Sequence, residues 1–272
     1  MATDSIFYRL DPLPICLVLI GVLVAASEFG FWVKKRMARS IPDIGKADIA
    51  LIIGAVLTLL ALLLGFTYSM SEGRFEERRQ LVIDEANAIG TTYLRAKTLP
   101  EPRSSEIQGL LRRYTALRVE IAGKMGDDPE KIPEMYNREK KLQSMLWSHA
   151  AVLARENPNP VISAFFAPLN EMIDLHTKRV AAFRNRVPFP IYVVLLIVSV
   201  VALWLIGYYL GAHRQRGLIV AGLFALLVAS VMWLIMDLDQ PVRGAIRTSQ
   251  QSLIELNQDL SQEAGEQRNN LF

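Results

Sequence analysis

The sequence predicts an all-α polytopic membrane protein, with four transmembrane helices and a helical extramembrane domain between the second and the third. Three observations carry that prediction. Four apolar windows, 13–33, 49–69, 187–210 and 217–236, hold almost no charge, and each is long enough to cross a hydrocarbon core of roughly 30 Å, which takes about 20 helical residues. The segment 70–186 is rich in Glu, Arg, Leu and Ala and lacks strand alternation, which predicts helices. In the tail, 237–272, Ile246, Ser249, Leu253, Leu256 and Leu260 recur at steps of three and four. That is an apolar seam on a polar helix, and it needs a partner, either the chain's own domain or a neighbouring subunit.

Composition excludes several functions. Of the 272 residues 51% are hydrophobic, and the mean hydropathy is +0.25; the apolar residues are concentrated in the four windows. A net charge of +3 without basic–aromatic interleaving excludes nucleic acid as a partner. Cys16, the one cysteine, lies inside the first window, so no disulfide forms within the chain. His149, His176 and His213 are far apart, and none stands at metal-ligand spacing with a cysteine or another histidine. Phosphate loops, nucleophile elbows and zinc-protease helices are missing. The sequence therefore predicts no catalytic residue, no metal and no cofactor, and the chain does not read as an enzyme.

The first window follows a short start that holds one base, Arg9, and two acids, Asp4 and Asp11. Its apolar run exceeds the roughly 7–15 residues of a signal-peptide core, which predicts a retained span. Glu28 is an acid inside that span, a functional hypothesis by default. Its alternative role is interfacial pairing with Lys34, Lys35 and Arg36, within snorkelling reach. The connections 34–46 and 211–217 are both basic and must share one side of the membrane; the positive-inside rule makes that side cytoplasmic. Segment 70–186 and the tail would then lie outside.

The second window continues without a proline into Thr67–Arg79 and on to about Lys97, so one helix starts in lipid and ends in water. Pro100 and Pro102 break it. A second extramembrane helix is predicted from Ser104 or Ser105, a plausible N-cap, to Lys124, before the turn Gly126-Asp-Asp-Pro129. A third runs from Pro133 to Glu156, ended by Asn157-Pro-Asn-Pro160, and a fourth from Val161 to Arg186. Trp204, Tyr208 and Tyr209 near one end of the third span fit a membrane interface. Asp237 and Asp239 follow the fourth span, as an electrostatic site or as a solvated helix terminus.

On the second span Gly54, Thr58, Leu62, Phe66, Met70 and Arg74 stand four apart, sharing a face over two or three turns. Beside them Ala61, Gly65, Ser69 and Gly73 form a stripe of small residues that lets helices approach closely. Ordinary bundle packing also accounts for both stripes.

Leu64-Gly-Phe66, followed by Arg74-Phe75 and Glu77, resembles the signature of the bestrophin anion channels, and Asp237-Leu-Asp239-Gln-Pro241-Val-Arg-Gly244 is similar to their acidic, Pro- and Gly-containing stretch. Arg78-Arg79, Asp84-Glu-Ala-Asn-Ala-Ile-Gly90 and Tyr93-Leu-Arg95 resemble a group of bacterial bestrophin-like membrane proteins of unknown function. The resemblance implies a bestrophin-like fold in a bacterial inner membrane, surrounded by lipid. It implies a homo-oligomer, a pentamer, whose second span lines a pore with a neck at Thr58, Leu62 and Phe66 and a mouth at Met70, Arg74 and Glu77. The implied ligands are inorganic ions, anions before cations. Three features depart from that pattern: Thr58 is more polar than the usual neck residue, the calcium-binding acids of animal bestrophins have no match, and the basic short loops argue for the opposite orientation. Arg74, Arg78 and Arg79 would attract anions, whereas the interleaved Glu72, Glu76 and Glu77 would oppose them. A non-conducting scaffold or sensor whose helical domain binds a partner is the alternative function.

Overall fold

A computed structural model describes residues 12–37, 46–124, 132–156, 158–212, 217–240 and 244–269. Among them are eight helices and no strand: α1 (Pro12–Met37), α2 (Lys46–Ala96), α3 (Arg103–Lys124), α4 (Ile132–Glu156), α5 (Pro160–Arg184), α6 (Phe189–Ala212), α7 (Leu218–Asp239) and α8 (Gln251–Asn269). The fold is all-α, and four helices are long and apolar enough to cross a membrane, as the sequence predicts. Of the basic connections 34–46 and 211–217, residues 38–45 and 213–216 lie outside the described residues, while Lys34, Lys35 and Arg36 belong to the last turn of α1 rather than to a loop.

The chain divides into two compact units. A membrane unit comprises Met1–Phe75 and Arg186–Ile246; a helical unit comprises Glu76–Asn185 and Arg247–Phe272. Helix α2 belongs to both, running unbroken for 51 residues, about 77 Å at 1.5 Å per residue.

In the membrane unit α1 packs against α6 and α7, with Leu23, Leu60, Leu195, Leu203, Ala225 and Ile235 in the core. The α1–α6 crossing depends on glycine. A Cβ on Gly30 would overlap the Trp204 carbonyl, one on Gly207 would overlap the Ser27 carbonyl, and one on Gly211 would come within 2.9 Å of the Phe31 carbonyl. Gly207 and Gly211 are four apart, so both lie on the face of α6 that meets α1, and the backbones touch directly.

In the helical unit Ile89, Tyr93, Ile107, Leu111, Leu146, Phe165 and Leu169 form the core. Leu253 and Leu260 of α8 are buried in it, with Leu256 packed against it. The chain's own helical unit therefore covers the seam at Leu253, Leu256 and Leu260, whereas Ile246 and Ser249 precede α8, outside the helix that their spacing predicts. Ser104 does not cap α3: its hydroxyl donates to the Ala96 carbonyl at 2.9 Å, tying the end of α2 to the start of α3. The cap falls to Glu101, whose carboxylate accepts the Ser105 N–H at 3.3 Å. Helix α5 starts at Pro160 because Asn159 accepts the Ile162 N–H at 2.9 Å, the usual work of an N-cap side chain. It stops at Arg184, two residues short of the predicted end, as Asn185 turns to extended backbone.

Candidate pore-lining helix and a buried charge cluster

The apolar half of α2 has one covered face and one open face. Leu60 and Leu64 are buried, and the Ser71 hydroxyl donates to the Ile235 carbonyl on α7 at 2.8 Å. On the open face Leu62 is 52% exposed and Phe66 66%; Thr58 and Met70 are exposed too. The Thr58 hydroxyl donates to the Gly54 carbonyl at 2.9 Å, so the helix itself takes up the polar group by which Thr58 departs from the apolar residues around it. The small stripe is open as well: Ala61, Gly65, Ser69 and Gly73 are exposed, and a Cβ on Gly54, Gly65 or Gly73 would meet nothing within 4 Å. Only 11% of the most apolar window of α2 is buried, against 28–33% in the other spans, so α2 is the span with the most apolar surface left to cover.

The stripe does not reach Arg74. Each step of four advances about 40° around a 3.6-residue helix, so Thr58 and Arg74 differ by about 160°. The Arg74 guanidinium is mostly buried and lies 3.9 Å from Asp239 Oδ1, while Met70 and Glu77 are exposed. Glu28 is exposed on α1 and does not pair with the bases that follow it on the described part of the helix. Lys34 sits over the Tyr208 ring at 5.2 Å and Arg36 over the Trp32 ring at 5.3 Å.

Asp237 and Asp239 are 2% and 1% exposed, which rules out a solvated helix terminus. The Asp237 carboxylate accepts the N–H groups of Ala245 at 2.9 Å and Ile246 at 2.8 Å. Asp239 accepts the Val187 N–H at 2.9 Å. These acids therefore clasp the segments leaving α7 and approaching α6. Gly244 completes the clasp, because a Cβ there would sit 2.8 Å from Asp237 Oδ1.

The helical unit holds a second constellation, which sequence spacing did not reveal. Glu85 on α2, Arg118 on α3, Glu139 on α4, and His176 and Arg179 on α5 are all buried. Arg118 Nε lies 2.9 Å from Glu85 Oε1, its Nη2 donates to Glu85 Oε2 at 3.0 Å, and its Nη1 lies 3.0 Å from Glu139 Oε1. Arg179 pairs with Glu85 and donates to the Gln250 side chain at 3.0 Å. His176 Nδ1 lies 2.9 Å from Glu139 Oε1, and the Tyr114 hydroxyl donates to Glu85 at 3.3 Å. Burial pushes the Glu85 carboxyl upward, but the Arg118 and Arg179 guanidiniums outweigh it and hold the group below the usual carboxylate range. Burial, reinforced by the charge of Glu85, raises the Tyr114 phenol.

Glu85, Glu139 and His176 place ligand atoms within 4.8 Å of one another, close enough for one metal ion by distance. The chemistry fits poorly. Two guanidiniums already balance the two carboxylates, and a divalent cation would bring uncompensated charge into a buried site. Glu85, Arg118 and Arg179 are far apart in the chain, so no local motif announces them. The one sequence signal is polarity in the wrong place: Glu85 falls on the apolar repeat of Val82, Ala86 and Ile89, and Arg118 on that of Leu111, Tyr114 and Ile121.

The family model of the bestrophin-like domain matches residues 21–253. Solved structures of the same fold include two variants of a bacterial bestrophin homologue from Klebsiella pneumoniae. One has a TM-score of 0.71 at 15% identity, covering 93% of this chain and 98% of that one; the other has a TM-score of 0.69 at 15% identity, covering 92% and 98%. A crystal structure described as a membrane protein gives 0.67 at 16% identity, covering 90% and 97%. No curated protein matches the sequence.

Proposed function

The chain belongs to the bestrophin-like family, and on that premise we propose that it is an oligomeric ion channel of a bacterial inner membrane, with α2 lining the pore. Thr58, Leu62 and Phe66 form the neck, and Met70 and Glu77 stand towards its mouth. The observation that carries this reading is the open face of α2. A span-length helix that leaves Leu62 and Phe66 uncovered, beside a small-residue stripe with room for a neighbour, calls for other copies of itself. A ring of copies, a pentamer by resemblance, would bury the stripe and turn the neck residues to the axis. An apolar constriction of this kind gates by shedding water.

The test is conductance in reconstituted bilayers. Phe66→Ala widens the neck and raises unitary current, whereas currents identical to those of the unaltered protein would remove Phe66 from the constriction. Liposomes holding the assembled protein but showing no ion flux would favour the non-conducting scaffold instead. Orientation is tested separately, by protease access to the helical unit in sealed vesicles; the basic short loops favour a helical unit on the outer side.

A further inference from the structure

A closed ring imposes a demand on the helical unit. Successive copies meet head to tail, so each copy must present two unlike surfaces that fit each other. The described residues of the helical unit offer such a pair. Between α3 and α4 lies a groove of about 430 Å³, floored by Leu117, Leu142 and Met145 and rimmed by Arg113, Arg138 and Lys141. All three rim cations are exposed. The one acid in the lining, Glu120, is already bound to Lys124 at 2.6 Å, so the groove is basic. The outer face of α8 has the opposite sign: Glu255, Asp259 and Glu266 are exposed along it, spaced over about 16 Å of helix. The inner face of α8 is spent on the core through Leu253 and Leu260, which leaves the acidic face outward. The exposed face of α5, by contrast, mixes signs: Glu171 and Asp174 share it with Lys178.

We propose that the basic α3–α4 groove of one copy receives the acidic face of α8 from a second copy, so that the tail helix is a subunit-to-subunit connector. This rests on the oligomer reading above and adds the surfaces that make it. Complementary charge sets register and partner choice more than raw affinity, while the floor supplies apolar area. Met145, flexible and 41% exposed, can adapt to what covers it.

Charge reversal in the full-length protein tests the connector, read as oligomeric mass in detergent. Arg138→Glu with Lys141→Glu, or Glu255→Lys with Asp259→Lys, should each shift most of the population to smaller species, and combining the two pairs should restore the full assembly. In case reversal damages folding, Lys141→Cys with Asp259→Cys in a Cys16→Ser background gives an independent measure: oxidation should produce a ladder of disulfide-linked copies. Undiminished assembly in both reversed variants, failure of the combined variant to regain assembly, or absence of a ladder would overturn the connector. A protein that is monomeric before any substitution would overturn the ring itself; an intact ring indifferent to these changes would overturn the connector alone.

Discussion

Glu85 shows how one buried acid is held ionised and what that commits the helical unit to. Its side chain is fully buried, so desolvation favours the neutral acid, and two guanidiniums reverse the balance. A buried pair is weak evidence of net stabilisation against an apolar substitute, but removing one partner leaves the others uncompensated. Glu85→Gln should therefore destabilise the helical unit by about 3–5 kcal/mol, visible as a lower melting temperature in detergent; an unchanged melt would mean that the cluster relaxes at no cost. The pH dependence follows from the same shift. Because the folded pKa is depressed, the stabilisation is present above the unfolded carboxyl value of about 4.3 and is lost as pH falls through the lower folded value. Acid titration of the unaltered protein should show a stability loss below about pH 4, and Glu85→Gln should flatten it.

Helix α2 was legible from sequence as one continuous element because nothing in 46–96 interrupts it: no proline, and an apolar run passing directly into a charged amphipathic repeat. Part of the tail seam was legible too: Leu253, Leu256 and Leu260 keep helical spacing on α8, whereas Ile246 and Ser249 share the spacing but precede the helix; what covers the seam was not legible, because a period says which face is buried and not against what. The glycine crossing was missed for the same reason. Gly207 and Gly211 read as ordinary apolar-span residues until Ser27 and Phe31 are found opposite them. Two predictions belong at this scale. Gly207→Leu forces α1 and α6 apart, where overpacking typically costs about 1–3 kcal/mol and, against backbone, more; melting at the unaltered temperature would show that the crossing can widen freely. Leu253→Ala leaves a cavity in the helical unit worth about 2–5 kcal/mol. Limited proteolysis should then cut α8 well before α3 or α4, and uniform protection would mean that α8 is held by something other than this core.

For the whole molecule, the selectivity of the proposed channel turns on which charges an assembled pore would leave facing its path. The resemblance favours anions, yet the bases that would attract them near the neck are withdrawn: Arg74 lies towards Asp239 and Arg78 is buried. Arg79 is exposed but paired with Glu76 at 3.1 Å. Glu72 and Glu77 remain exposed without an opposing charge of this kind. A unit charge about 10 Å from an ion in water is worth about 0.4 kcal/mol, so a ring of five sums to about 2 kcal/mol before salt screening reduces it to roughly 0.7. Cation attraction and anion repulsion change together, giving about 1.4 kcal/mol, or roughly tenfold, in the permeability ratio. Glu72→Gln and Glu77→Gln, each of which removes one such ring, should therefore each move the reversal potential in a salt gradient towards the anion equilibrium value by about that factor, and the shift should shrink at high salt. A reversal potential that does not move would take both acids off the ion path. It would leave the proposed neck, where Leu62 and Phe66 are apolar and Thr58 has its hydroxyl bound to Gly54, as the place where ions are told apart, by the cost of shedding water rather than by the sign of a charged ring.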